Sequence, residues 1–178
     1  LTIGEGPAVL VLESEESVNE KNIICEVTGY ANINEAYHAT ASSAEGTGAI
    51  MAMTRALESA ALKPEDISYI NAHGTGTEIN DLSEGRAIDA VFGSRVPPVS
   101  STKAFTGHTL GAAGAVEAVF SCMALKEGLV LPGLNFSDPM PELTFQPLTM
   151  IESRSVKHVM SNSFGFGGSN TTLIFSKV

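Results

Sequence analysis

The sequence predicts an α/β domain of layered helices and strands, with its polar site at the carboxyl ends of the strands. Three observations carry that expectation. Strand-like apolar runs alternate with stretches of helical periodicity, glycines follow the strand-like runs, and the motifs "HGTGT", "STKAFTGH" and "SFGFGGSN" fall at those junctions. With 178 residues, 43% of them hydrophobic and 17% charged, the chain is long enough to bury a core as one compact domain.

The elements follow in order. Residues 8–13 and 22–31 cluster Val, Leu and Ile and read as two strands, joined as a hairpin by the solvated link "SEESVNEKN". Residues 47–61 set Ile50, Met53, Leu57 and Ala60 at helical spacing, and Lys63–Pro64 ends that helix. "DISYINA" is a short apolar strand running into the turn at Gly74 and Gly76. "INDLSEGRAIDAVFG" places Leu82, Ile88, Val91 and Phe92 on one helical face. "PPVSSTKAF" then reads as a strand and "TLGAAGAVEAVFSCMALKEG" as a further helix. Pro132, Pro139, Pro141 and Pro147 punctuate a long loop, and "VKHVMSNS", "FGFGGSN" and "TTLIFSKV" close the chain as two antiparallel strands about a glycine turn.

Composition excludes several classes. Twenty acidic against ten basic residues give a formal charge of -10 with no basic cluster, which argues against nucleic acid as a partner. The longest apolar stretch carries Glu117 at its middle, so it reads as a buried helix and not as a membrane span. Cys25 and Cys122 lie far apart in sequence and form no CxxC motif. Each reads as a small, inert apolar residue, one in a strand and one in a helix, and a reducing cytoplasm is the expected compartment. The chain begins at Leu1, with no signal peptide and almost directly in an apolar run, as a piece of a longer protein would.

Familiar chemistries fit poorly. The glycine turns match neither G-x-G-x-x-G nor G-x-x-x-x-G-K-[ST], so no phosphate cradle is expected. His73 and His108 with Asp81 or Glu84 lack HExxH or paired-cysteine spacing, so no metal is expected either. No G-x-S-x-G elbow supplies a serine nucleophile. The chain has histidines without an evident nucleophile.

"NAHGTGT" with "ND" and "E" following, "SSTKAFTGHTLGAAGAVEA" and "SNSFGFGGSN" together, in this order and spacing, resemble the C-terminal half of a β-ketoacyl-acyl carrier protein synthase. "GEGPAVLVLE" and "AYHAT" also resemble segments of that family. The resemblance implies a thiolase-like fold with α-β-α layers and a mixed sheet, built as two similar halves, the nucleophilic cysteine lying in the N-terminal half. On that reading residues 1–31 are the terminal strands of the N-terminal half, and residues 32–178 are the C-terminal thiolase-like domain.

The resemblance also implies roles. His73 and His108 match the histidines that stabilise the enolate formed when a malonyl thioester loses carbon dioxide. Lys103 matches the lysine that orders the second histidine and is paired, by family analogy, with Glu84. Asp81 is expected to fix the loop after "HGTGT", although either carboxylate also suits a helix N-terminus. Thr75 and Thr77 match hydroxyls that bind the pantetheine arm, or serve ordinary turn chemistry. Gly165, Phe166 and Gly167 match a mobile gating loop at the acyl entrance, braced by Asn170, and His38 falls at the cavity mouth.

The implied activity is decarboxylative Claisen condensation of an acyl thioester with malonyl-acyl carrier protein, in fatty-acid or polyketide synthesis. An elongating enzyme is expected because two histidines stand where the initiating type pairs histidine with asparagine. No cofactor is expected beyond the phosphopantetheine arm that carries the substrates. The implied partners are acyl carrier protein and, in the complete protein, a second identical subunit. The alternative is a non-catalytic subunit of a polyketide synthase, similar to a chain-length factor, which keeps the fold without the cysteine.

Overall fold

The computed structural model describes residues 1–18 and 23–178. A five-stranded mixed sheet forms its centre. The strands are β1 (Glu26–Asn34), β2 (Tyr69–Asn71), β3 (Val99–Ser100), β6 (His158–Gly165) and β7 (Ser169–Ser176), in the spatial order β1-β7-β6-β2-β3. The β1–β7 and β7–β6 pairs are antiparallel, whereas the β6–β2 and β2–β3 pairs are parallel. A separate two-stranded ribbon pairs β4 (Leu129–Val130) with β5 (Glu152–Ser153).

The period-two alternation of strands divides the core into two faces. Ile70, Met160 and Ile174 point to one side, where α1 (Thr47–Ala60) and α2 (Glu78–Phe92) cover them with Met53, Leu57 and Ile88. Their strand neighbours Tyr69, Val159 and Phe175 point to the other side, against Ala118, Ala124 and Leu125 of α4 (Ala113–Glu127). The result is the expected α-β-α layering.

The central expectations hold. α1 ends where proposed: Ala61 turns left-handed at φ 53° and Leu62 N–H closes on Leu57 C=O at 3.0 Å, just before Lys63–Pro64. The tail is the expected antiparallel pair, in register from His158 opposite Ser176 to Gly165 opposite Ser169.

Three expectations are corrected. Residues 8–13 form no strand: β1 pairs with β7, and this segment pairs with no strand among the described residues; Leu10 turns into the α4-side core. The 22–31 strand is displaced to Glu26–Asn34, its first expected position lying outside the described residues. In "PPVSSTKAF" only Val99–Ser100 is extended. From Thr102 the chain turns helical as α3 (Lys103–Thr106), since Phe105 N–H reaches Thr102 C=O at 2.9 Å and Gly107 N–H reaches Lys103 C=O at 2.9 Å.

Candidate active site

His73 follows β2 by two residues and is 5% exposed. Its loop is fixed through the backbone: the N–H groups of His73 and Gly74 each donate to the Glu84 carboxylate at 2.9 Å. Glu84 also accepts from Asn162 Nδ2 at 3.2 Å, and Asn162 Oδ1 accepts from Thr172 Oγ1 at 2.8 Å. A chain of hydrogen bonds from β7 through β6 and α2 therefore holds the "HGTGT" turn. Burial raises the Glu84 pKa, and the donors that converge on it oppose that rise.

Lys103 opens α3 and is buried beside His73, its Nζ 3.3 Å from His73 Nδ1. Its ion-pair partner is Glu117 of α4, whose Oε1 it contacts directly, both side chains being buried. This corrects the expected pairing with Glu84. Glu84 has its oxygens committed to two backbone N–H groups and Asn162, which leaves Glu117 to compensate the ammonium. Sequence reasoning missed that role, although the signal was present: one carboxylate stands alone in an otherwise apolar helical stretch. Burial pushes Glu117 up to about 7 against the opposing pull of Lys103.

Both imidazoles are held neutral. Burial first, then the charge of Lys103, lowers the His73 pKa from 6.5 to about 3. The same two causes lower that of the more accessible His108. Their tautomers follow from their neighbours. An ammonium can only donate, so His73 Nδ1 accepts and its proton sits on Nε2. The Leu110 N–H donates to His108 Nδ1 at 3.1 Å, which places that proton on Nε2 as well. The two rings meet edge to face with centroids 5.4 Å apart, and Phe164 lies 5.6 Å from His73. The arrangement offers two neighbouring Nε2–H donors with no charge of their own.

The His108 loop has a brace that the sequence did not reveal. His108 N–H bonds Thr2 C=O at 2.7 Å and its C=O accepts from Gly4 N–H at 3.0 Å. The two backbones approach so closely that a Cβ on Gly107, at φ +69°, would stand 2.8 Å from Gly4 Cα.

The remaining candidates are placed as follows. Thr75 and Thr77 hydroxyls bond each other at 2.9 Å, and burial raises the pKa of Asp81 against donors from Asn80, Gly76 and Thr75 in the same turn. Thr75, Asp81, Lys103 and His108 line a cavity of about 610 Å³ whose apolar wall includes Ile88 and Leu143. Asn170 is buried and its Nδ2 donates to Gly168 C=O at 2.9 Å, so it braces the glycine turn. Gly167 N–H bonds Ala39 C=O at 2.8 Å, which brings the "AYHAT" segment beside that turn. His38 is exposed, with Nδ1 accepting from Thr40 N–H at 3.2 Å. Phe166 is 80% exposed and stands outside the cavity lining.

Known proteins are similar to this chain in sequence and in fold. The chain is 45% identical over 184 residues to the "3-oxoacyl-[acyl-carrier-protein] synthase, mitochondrial" of Arabidopsis thaliana, covering 99% of this chain and 40% of that protein. It is 42% identical over 180 residues to "3-oxoacyl-[acyl-carrier-protein] synthase 2" of Staphylococcus aureus (strain COL), covering 98% and 44%. It thus spans less than half the length of these curated relatives. A solved "type II PKS acyl-carrier protein in complex with its ketosynthase bound to the hexaketide" superposes with a TM-score of 0.88 at 33% identity, over 93% of this chain and 42% of that one. The fold is therefore the thiolase-like one of the ketosynthases. Residues 24–137 match the family described as "Beta-ketoacyl synthase, C-terminal domain". With that match across most of its length, and relatives that align along nearly all of this chain, the chain belongs to the β-ketoacyl synthase family and carries its C-terminal half.

Proposed function

We propose that this chain supplies the decarboxylating half of a condensing enzyme that joins an acyl thioester to malonyl-acyl carrier protein. The observation that carries the reading is the pair of neutral imidazoles, each with its proton on Nε2, set beside a buried Lys103–Glu117 pair. In the reaction, the acyl chain rides on a cysteine outside this chain. The malonyl thioester oxygen lies between the Nε2–H groups of His73 and His108. The bond to the carboxylate breaks, carbon dioxide leaves, and negative charge grows on that oxygen as the enolate forms. Neutral donors stabilise the growing charge without surrendering a proton to it. The enolate carbon then attacks the acyl thioester, the carbon–carbon bond forms, and the cysteine thiolate departs.

Thr75 and Thr77 are assigned to the pantetheine arm, Gly165, Phe166 and Gly167 to a gate, Asn170 to bracing that gate, and His38 to the mouth of the cavity. Asp81 and Glu84 support the "HGTGT" turn. Phosphopantetheine-borne substrates without a further cofactor, acyl carrier protein as partner, a homodimeric complete protein and a cytoplasmic setting complete the proposal. No helix of the described residues is long and apolar enough to cross a membrane. The domain division is proposed with residues 1–31 closing the N-terminal half and 32–178 forming the C-terminal domain, β1 being the strand that joins them.

The test is His108→Ala in the complete protein. Carbon dioxide release from malonyl-acyl carrier protein should fall by roughly a hundredfold to a thousandfold, while acyl transfer to the cysteine persists. Near-normal release would overturn the assignment.

A further inference from the structure

Cys25 and Cys122 are separated by 97 positions, yet their sulfurs lie 3.3 Å apart. Cys25 is the residue before β1, and Cys122 is in the second half of α4. The fold accounts for the meeting: β1 pairs with β7, α4 packs across β6 and β7, and both thiols pack at the edge of the α4-side core with Leu10 and Leu173. In this half of the protein both are free thiols of intermediate burial. A disulfide requires its sulfurs at roughly 2.05 Å. From 3.3 Å, the sulfurs must approach by roughly a further 1.2 Å to bond. None of the proposed condensation steps uses either sulfur.

We propose that Cys25 and Cys122 form a peroxide-oxidisable dithiol, which closes to an intramolecular disulfide tying the start of β1 to α4. The hydrogen bond sets the order of events. Cys25 Sγ–H donates to Cys122 Sγ, which favours Cys122 as the sulfur that ionises and attacks first. The directions of the two pKa values agree: the contact lowers that of Cys122, and the same contact together with burial raises that of Cys25. The Cys122 thiolate attacks one oxygen of the peroxide, the O–O bond breaks, and the departing hydroxide takes a proton to become water. Cys25 then attacks the sulfenic sulfur, the S–O bond breaks, and the second hydroxide leaves as water with the Cys25 proton. The two thiols lose two electrons and two protons, and one peroxide becomes two waters.

The closed loop would enclose β2, α2 and α3, and with them His73, Lys103 and His108. Oxidation is therefore expected to raise the resistance of the whole site to unfolding, because the bridge restricts the unfolded chain.

The complete protein is treated with one equivalent of hydrogen peroxide under native conditions, free thiols are alkylated, and the digest is mapped by mass spectrometry. The expected result is a peptide containing Cys25 joined to one containing Cys122, lighter by two hydrogens and released by dithiothreitol, with the urea midpoint moved upward. In Cys25→Ser the sulfenic acid should persist on Cys122 and be trapped by dimedone. In Cys122→Ser the Cys25 thiol should remain alkylatable. Recovery of both cysteines as free thiols after peroxide, or Cys25 joined to any other cysteine, would overturn the proposal. So would a dimedone adduct on Cys25 in the Cys122→Ser protein equal to that on Cys122 in its counterpart. These readouts do not involve condensation, so they stand or fall apart from the proposed activity.

Discussion

A buried ammonium needs a compensating charge close by, because leaving it alone in the interior carries the full cost of its lost hydration. Lys103 is in that position between His73 Nδ1 and Glu117, and Glu84 is not the residue that compensates it. Removing Glu117 alone should therefore be costly, about 3–5 kcal/mol, whereas removing both charges together should cost much less than the sum of the single changes. Urea denaturation of Glu117→Leu, Lys103→Met and the double variant checks this, and a cycle through Glu84 should show the smaller coupling. The same cluster gives a pH signature. His73 has its folded pKa lowered to about 3, so the unfolded state binds the extra proton and stability falls as pH drops from about 6.5 towards about 3. Glu117 has its pKa raised to about 7, so its contribution is lost as pH rises from about 4.5 through about 7. The two slopes oppose each other between about 4.5 and 6.5. His73→Gln should therefore reveal a stability that falls with rising pH across that window, measured as the urea midpoint at successive pH values.

At the scale of elements, the His108 loop depends on the close approach of Gly4 and Gly107. Gly107 sits at φ 69° and ψ 178°, a region almost closed to other residues, and its Cβ would meet the Gly4 backbone. Gly107→Ala should cost about 1–3 kcal/mol and lower decarboxylation more than Gly111→Ala, whose added Cβ meets nothing within 4 Å. Thermal denaturation and carbon dioxide release measure the two effects. The elements themselves were legible where a periodic apolar pattern met a breaker. α1 stops before Pro64, α4 stops at Gly128, and β6 and β7 turn on the glycines between them. Residues 8–13 carried an equally good apolar pattern and still formed no strand, since a strand needs a neighbour that no local pattern reports. His73, Lys103 and His108 could be named from their motifs. Glu117 stands out as a lone carboxylate in an apolar helical stretch, but its pairing with Lys103 and the Cys25–Cys122 contact are written in no motif, because each depends on how α4 docks on the sheet.

For the whole molecule, Val9, Val11 and Leu12 are 84%, 86% and 76% exposed within one short apolar run. Such a run favours association, so the 178-residue chain should self-associate with rising concentration, and Val9→Ser with Val11→Ser should reduce this in sedimentation velocity. The isolated chain should also fail to condense acyl and malonyl thioesters while keeping the turns that present its histidines. The proposed function separates the roles: this half supplies two neutral donors, and the nucleophile is expected from outside it. The most direct measurement is ¹⁵N NMR of the imidazoles in the complete protein at pH 7, with and without a malonyl-thioester analogue that cannot lose its carboxylate. Both His73 and His108 should be neutral with the proton on Nε2, and both Nε2 signals should move when the analogue binds. A proton on Nδ1 or an imidazolium at either residue, or Nε2 signals unmoved by the bound analogue, would contradict the account.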